Sequence, residues 1–204
     1  MITTLLFDVD GVLAISRGLF SERLAKDYGV TREMSAAFFR QGTLYQCLIG
    51  AADLKEEIVP YLPQWGIPLG VDDFLAYWFD TENVIDHALL AAIQQLRNKG
   101  SRCYLATNQE RHRTAYILQE MGFARHFDGM FSSSSIGCVK TDPAFFEHVL
   151  RTLEGVQAHE ILFWDDLVEN VETARKVGLQ AEVYTSYQDF IEKMSRFEMS
   201  QGAL

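Results

Sequence analysis

The chain has 204 residues, of which 48% are hydrophobic and 23% are charged. This length and composition suit one globular domain, or one domain with a small insert. The formal net charge of −10 argues against a surface that binds the phosphates of nucleic acids or of anionic lipids, so neither nucleic acid nor a membrane is an expected partner.

The first predicted element is a buried strand over residues 2–7, which leads directly into Asp8. Further apolar runs predict strands over residues 102–106, 130–132, 160–164 and 181–184. Between the strands, apolar residues repeat at helical spacing over residues 85–96, 145–153 and 168–177. Strands that alternate with helices of this length predict an α/β fold with a doubly wound parallel sheet.

Residues 16–84 interrupt this alternation, because they contain helical patterns but no convincing strand. Residues 58–70 hold three of the four prolines and are predicted to form a loop between helices. The sequence therefore predicts a core domain of residues 1–15 and 85–204, with a small helical domain of residues 16–84 inserted after the first strand. We expect the aromatic residues of this insert to form its core: Phe20, Phe38, Phe39, Tyr45, Trp65 and Trp78.

The cysteines and the N-terminus bear on the cellular compartment. Cys47, Cys103 and Cys138 are far apart and odd in number, which argues against a disulfide framework and against a zinc knuckle. The N-terminal apolar run meets Asp8 after seven residues, which is too early for a signal peptide or a membrane span. We therefore expect a cytoplasmic protein.

Two acids, Asp8 and Asp10, follow the first strand at positions whose side chains project to the same side of an extended chain. Ligands of open α/β sheets bind at this end of the strands. An isolated Asp-x-Asp is most often a pair of solvated loop acids. A calcium loop is excluded, because Leu13 and Leu19 stand where such a loop requires Gly and Glu.

Polar groups also follow the other strands. Thr107 and Asn108, which come after the strand over residues 102–106, are uncharged donors suited to an oxyanion. Asp165 and Asp166 follow a later strand, and Lys140 stands just before a predicted helix, where a cation and free N–H groups both favour an anion. Each of these residue groups alone is common in turns and helix caps. Their occurrence together, at the ends of successive strands and before a helix, indicates a single site.

These segments resemble the four motifs of the haloacid dehalogenase-like (HAD) hydrolases. The matching segments are FDVDGV, ATN, VKTDPAFF and FWDDLVENVETARKVG. The resemblance spans residues 5–185, and the helical insert lies where family members with a small helical cap carry theirs. It implies a Rossmann-like core of the HAD type with a small helical cap, and a small phosphorylated molecule as substrate.

The resemblance also implies a role for each site residue. Asp8 would be the nucleophile that attacks phosphorus and forms an aspartyl-phosphate. Asp10 would protonate the leaving oxygen and then activate the water that cleaves this intermediate. Thr107 and Asn108 would bind phosphoryl oxygens, and Lys140 would neutralise charge on the transferring group.

By the same resemblance the cofactor is Mg²⁺, a hard cation that prefers oxygen ligands. Its ligands would be the Asp8 carboxylate, the backbone carbonyl of Asp10 and the Asp166 carboxylate, with Asp165 as the alternative. Asn170 departs from the family pattern, because it stands where relatives have a further acid. A neutral amide would bind the cation more weakly or lie outside the set of ligands.

Asp10 also favours one reaction within the family, because dehalogenating members lack an acid two residues after the nucleophile. We therefore expect a phosphatase. One alternative is a phosphomutase similar to β-phosphoglucomutase. Another, from a different class, is a non-enzymatic phospho-acceptor or binding domain.

Five cationic or titratable residues outside the motifs are weaker candidates for contact with an anionic substrate. Three of them follow the second motif and two lie in the insert: Arg111, His112, Arg113, Arg17 and Arg40. Solvated side chains are the more common role of such residues.

Overall fold

The computed structural model describes residues 1–16, 18–40 and 42–197. Its strands are β1 (Thr4–Phe7), β2 (Ala14–Ile15), β3 (Val84–Ile85), β4 (Arg102–Thr107), β5 (Gly129–Ser132), β6 (Ile161–Asp165) and β7 (Gln180–Val183). The helices of the insert are α1 (Phe20–Tyr28), α2 (Arg32–Phe39), α3 (Thr43–Leu48), α4 (Leu54–Ile58), α5 (Tyr61–Gln64) and α6 (Val71–Thr81). The later helices are α7 (His87–Asn98), α8 (Arg111–Gln119), α9 (Ser133–Ile136), α10 (Pro143–Thr152), α11 (Val168–Lys176) and α12 (Tyr187–Met194). Within the described ranges, each helix is too short or too polar to cross a bilayer.

Five parallel strands form the central sheet in the order β5-β4-β1-β6-β7. The strand β1 is central, with β4 on one side and β6 on the other, so the chain winds outward from β1 in both directions. This order confirms the predicted α/β fold with a doubly wound parallel sheet. The predicted strands agree with the observed bounds to within about two residues.

Helices cover both faces of the sheet, which explains why the central strands β1 and β6 are buried and largely apolar. Leu5 and Phe7 of β1 pack in one hydrophobic cluster with residues of α7, α8 and α12. Leu6, between them in sequence, packs in a second cluster with residues of α10 and α11. This arrangement leaves the carboxyl ends of β1, β4 and β6 open at the point where the winding direction reverses, which is where such sheets bind ligands.

The helices α1 to α6 pack around a hydrophobic cluster of their own. Phe20, Phe38 and Trp65 are buried in it, as the sequence predicts. The prediction is wrong for Tyr45, which is 46% exposed. It lies two positions before the buried Cys47, and residues at that spacing lie on different sides of a helix.

Two short elements differ from the sequence-based expectation. The strands β2 and β3 form an antiparallel ribbon where the chain enters and leaves the insert, and two residues are too few to show an alternating pattern. The helix α5 lies within residues 58–70, which were expected to form a loop. Pro60 and Pro63 are compatible with this helix because they occupy its N-cap and first turn, where no backbone N–H is required.

Candidate active site

The ammonium of Lys140 lies between two carboxylates at the carboxyl end of the sheet. Its Nζ is 2.7 Å from Asp8 Oδ1 and 2.6 Å from Asp165 Oδ2, and all three residues are buried. Pairing of β1 with β6 brings the two acids together, because each comes directly after the paired residues Phe7 and Trp164. Burial alone would lower the pKa of Lys140, but the two carboxylates hold it above its ordinary value, so the ammonium stays charged.

Asp165 and Asp166 lie in different environments although they are neighbours in sequence. Asp165 Oδ1 accepts hydrogen bonds from the backbone N–H of Leu167 at 2.8 Å and from Asn170 Nδ2 at 3.0 Å. With Lys140 on Oδ2, both oxygens of Asp165 have donors. Asp166 is exposed and lines the cavity that contains Asp8.

The donor set fits a hard cation such as Mg²⁺. Asp8, Asp165 and Asp166 each offer a carboxylate oxygen, and these oxygens lie within 4.8 Å of one another. Burial raises the pKa of the Asp8 carboxyl to about 7; Lys140 opposes this rise and the charge of Asp165 adds to it. Asn170 Oδ1 is also buried and accepts no hydrogen bond from the described residues. A cation would therefore relieve a concentration of negative charge that the lysine only partly offsets.

Gly11 is needed for the chain to leave this site. Its φ of +81° lies in the left-handed region, which side chains other than glycine disfavour. A Cβ atom at this position would also overlap the carboxylate of Asp166. The turn after Asp10 therefore depends on the absence of a side chain.

The sequence-predicted site residues lie around one cavity of about 300 Å³. They are Asp8, Asp10, Thr107, Asn108, Lys140 and Asp166. Asn108 Oδ1 accepts a hydrogen bond from the backbone N–H of Lys140 at 2.8 Å, which joins the end of β4 to the lysine loop. The structure thus brings together the residues that the sequence places far apart.

Asp10 is half-buried and is held by two side chains of the segment after β4. Gln109 Nε2 donates a hydrogen bond to Asp10 Oδ2, and Arg113 Nη2 lies 3.5 Å from Asp10 Oδ1. Asp10 also lines a second cavity, of about 200 Å³, between the insert and the core. Gln109 was not predicted, because a glutamine after Asn108 has no feature that distinguishes it from a loop residue.

Of the three residues that follow the second motif, Arg113 reaches the site. It is 2% exposed, and it donates hydrogen bonds to the backbone carbonyls of Phe79, at 3.1 Å, and of Glu82. Arg113 therefore links Asp10 to the last turn of α6 and the residue that follows it. This role was not predicted, since it depends on a contact between segments about thirty positions apart.

Arg111 and His112 instead connect the insert to the core. His112 Nε2 lies 2.8 Å from Asp53 Oδ1, and Arg111 Nη1 lies 3.4 Å from Asp53 Oδ2. Arg40 is exposed, and Arg17 lies outside the described residues. The two residues next to Arg113 thus hold the insert against the core rather than line the cavity of Asp8.

Two further acids, Glu82 and Glu110, line the second cavity and were not predicted. Burial raises the pKa of Glu82 to about 7, and the charge of Asp10 adds to the rise. Glu110 caps α8 by accepting hydrogen bonds from the backbone N–H groups of His112, at 2.7 Å, and of Arg113. Glutamate is not among the preferred N-cap residues, so the sequence did not indicate this role.

The family model for haloacid dehalogenase-like hydrolases matches residues 2–178, most of the chain. The chain belongs to the haloacid dehalogenase-like hydrolases. The resemblance carried by the four motifs is confirmed. This HAD-like hydrolase is also similar to named relatives over part of its length.

A sesquiterpene phosphatase of Aspergillus oryzae is 35% identical over 95 residues, which are 46% of this chain and 47% of that protein. Bifunctional epoxide hydrolase 2 of Rattus norvegicus is 30% identical over 101 residues, which are 47% of this chain and 18% of that protein. The chain therefore spans about half or less of the length of these curated relatives.

Among solved structures, a HAD family enzyme of Bacteroides thetaiotaomicron superposes with a TM-score of 0.81 at 20% identity, covering 94% of this chain and 98% of that one. A structure of the same enzyme in complex with magnesium and inorganic phosphate superposes with a TM-score of 0.77 at 20% identity, covering 93% and 99%. At these identities the likeness establishes that the HAD-like hydrolase shares their fold.

Removal of the buried ammonium tests the electrostatics of the site. Lys140→Met leaves Asp8 and Asp165 buried without their cation, so we expect the free energy of unfolding to fall by roughly 3–5 kcal/mol. The measurement is urea unfolding at pH 7 in the presence of a chelator. The matched control is Lys55→Met, which removes an exposed ion pair of 2.6 Å with Asp72 and should leave the free energy of unfolding nearly unchanged. Equal, small losses in both variants would contradict the account of Lys140.

Proposed function

We propose that this HAD-like hydrolase is a Mg²⁺-dependent phosphatase that hydrolyses a small phosphomonoester through an aspartyl-phosphate on Asp8. The proposal rests on the contact of the Lys140 ammonium with Asp8, in a cavity that Asp10, Thr107 and Asn108 also line. This combination provides a nucleophile, a proton-transfer group and donors for an anion. The similarity to a phosphatase and to an enzyme that binds magnesium and inorganic phosphate supports the same reaction.

In the first step, an oxygen of Asp8 attacks phosphorus, and the bond from phosphorus to the leaving oxygen breaks. The backbone N–H of Val9 donates to Asp8 Oδ1 at 2.7 Å, and Lys140 contacts the same oxygen. Because Oδ1 already has these two contacts, we propose Oδ2 as the attacking oxygen. Asp10 gives its proton to the leaving oxygen as the bond breaks.

In the second step, water attacks the phosphorus of the aspartyl-phosphate. Asp10, now a carboxylate, takes a proton from this water, and the bond from phosphorus to Asp8 breaks. Inorganic phosphate leaves, and Asp8 returns as a carboxylate. The position of Asp10 supports both transfers, because it lines the cavity of Asp8 and also the second cavity.

The phosphoryl oxygens are assigned to Thr107, Asn108 and Lys140. Asn108 Oδ1 accepts a hydrogen bond from the backbone N–H of Lys140. This bond orients the side-chain amide of Asn108 and leaves its Nδ2 available as a donor to a phosphoryl oxygen. Donors fixed before the reaction stabilise developing charge without reorganisation. Lys140 then offsets charge on the transferring group and on Asp8 together.

Asp8, the backbone carbonyl of Asp10 and Asp166 would hold Mg²⁺. When bound there, the cation would offset the repulsion between a carboxylate nucleophile and a phosphate dianion and would favour ionised Asp8. We favour Asp166 over Asp165 as the third ligand, because both oxygens of Asp165 already accept hydrogen bonds.

We also propose that residues 16–84 act as a cap domain over a core domain of residues 1–15 and 85–204. Three contacts support a closed position of this cap. Ser133 Oγ donates to the Leu48 carbonyl at 2.6 Å, and Asp53 lies against His112. A Cβ atom on Gly50 would overlap the Ser134 carbonyl, so the cap approaches the core closely there. A closed cap excludes water from the reacting groups.

Replacement of the nucleophile is the direct test of phosphatase activity. With Mg²⁺ and p-nitrophenyl phosphate, we expect the wild type to release inorganic phosphate well beyond one equivalent per chain. Asp8→Asn should release none while it keeps its melting temperature, and the exposed control Asp73→Asn should behave as the wild type. Release that stops after one equivalent would support a phospho-acceptor, and an unchanged kcat in Asp8→Asn would exclude Asp8 as nucleophile.

The role of Asp10 predicts a dependence on the leaving group. Asp10→Asn should lower kcat/KM for phenyl phosphate by roughly 10²–10⁴-fold, because phenolate is a poor leaving group that needs a proton. The loss for p-nitrophenyl phosphate should be smaller, since p-nitrophenolate leaves more readily. Steady-state kinetics of both esters measure this difference. An equal loss for the two esters would show that Asp10 does not act as the acid.

A further inference from the structure

The cavity between the insert and the core adjoins the proposed phosphoryl site. Asp10 and Asn108 line this cavity of about 200 Å³ as well as the cavity that contains Asp8 and Lys140. Since Asp10 gives its proton to the leaving oxygen in the proposed mechanism, the space on its other side is where the leaving group lies.

Five of the eleven side chains that enclose this cavity are apolar, and they form its wall on the side of the insert. They come from α3, α4 and α6: Leu44, Leu48, Leu54, Trp78 and Phe79. An engineered protein cavity of about 150 Å³ with leucine, isoleucine and phenylalanine walls stays dry and binds benzene. A cavity of about 200 Å³ therefore suits a single ring or a short branched chain.

The charges that line the cavity oppose a second anion on the substrate. Asp10, Glu82 and Glu110 are acidic, and Arg113 is the cation among the lining residues. Its terminal nitrogens are already engaged, with the carbonyls of Phe79 and Glu82 and with Asp10. A phosphate or carboxylate on the leaving group would thus leave water for a cavity lined by three acids and one guanidinium whose terminal nitrogens already have partners.

An ammonium group on the leaving group would find no unpaired acid in this cavity. Each of the three acids already has a partner: Arg113 offsets Asp10, Glu110 accepts hydrogen bonds from two backbone N–H groups, and Glu82 accepts one from the Trp78 side chain. Cations elsewhere on the insert would not bind an anionic leaving group strongly either. Arg32 and Arg40 line a separate cavity beyond Trp78, but both are exposed, and an ion pair in water contributes little.

We infer that the substrate is the phosphate ester of a small, uncharged and largely apolar alcohol, which binds between the insert and the core. This inference rests on the proposed phosphatase function and narrows its substrate class. It disfavours sugar bisphosphates, nucleotides and phosphorylated acids.

The test compares three aryl phosphates of similar size: phenyl phosphate, 4-carboxyphenyl phosphate and 4-(aminomethyl)phenyl phosphate. We expect kcat/KM for phenyl phosphate to exceed that for each charged ester by at least about tenfold. The two charged substituents either withdraw electrons from the phenol or have little electronic effect on it. They would therefore leave the phenolate an equal or better leaving group, so leaving-group reactivity cannot explain a lower kcat/KM for the charged esters.

A second test changes the charge of the cavity and measures the preference between the charged and uncharged esters. Leu44→Lys places a cation in the cavity and should raise kcat/KM for 4-carboxyphenyl phosphate relative to phenyl phosphate by at least about tenfold. Val59→Lys is the matched control, because Val59 is 52% exposed on the same insert and does not line the cavity; it should leave the ratio unchanged. If Leu44→Lys does not fold, the three esters with the wild type decide the question.

The outcomes separate the two proposals. Equal kcat/KM for the three esters, or a preference for a charged one, would overturn the apolar leaving group and leave the phosphatase function standing. Absence of phosphate release from all three esters and from p-nitrophenyl phosphate would overturn the phosphatase function itself, and this inference with it.

Discussion

The buried contact of Lys140 with Asp8 and Asp165 is the constraint on which the arrangement of the site depends. The three charged groups come from the ends of β1 and β6 and from the loop before α10, and they lie together in the protein interior. Buried charges are tolerated only when they are paired and hydrogen-bonded, and Leu167 and Asn170 supply the remaining donors to Asp165. Asp165 thus holds the lysine in place, and Asp8 and Asp166 line the cavity.

Asp10 stands between two environments. On one side is a polar cavity with the groups proposed to bind a phosphoryl group and Mg²⁺, and on the other is a cavity whose wall on the insert side is formed by five apolar side chains. Gln109 and Arg113 hold its carboxylate, and Arg113 also binds the carbonyls at the end of α6. The position of the proposed proton-transfer group is therefore coupled to the insert, and Arg113, which lines the proposed leaving-group cavity, also contacts Asp10.

Local patterns were sufficient to predict the sheet and the polar ends of its strands. The central strands β1 and β6 are buried along their whole length, so each appears in the sequence as a largely apolar run, and Asp8 and Asp165 come at the ends of these runs. Gln109, Glu82 and Arg113 could not be predicted, because their roles arise from contacts between distant segments. The unequal roles of Asp165 and Asp166 likewise depend on which acid faces Lys140, and the exposure of Tyr45 depends on how α3 packs. Sequence patterns determine neither which of the two acids contacts Lys140 nor how α3 packs.

The central claim is that Asp8 carries the phosphoryl group during turnover, and direct trapping of the intermediate tests it. The enzyme is mixed with p-nitrophenyl phosphate and Mg²⁺, quenched in acid during steady-state turnover and treated with borohydride, which reduces an acyl phosphate to an alcohol. Peptide mass spectrometry then locates the modified residue. We expect reduction of Asp8 in the wild type and none in Asp8→Asn. An unmodified Asp8 in an enzyme that releases phosphate, or a modified aspartate elsewhere, would contradict the account.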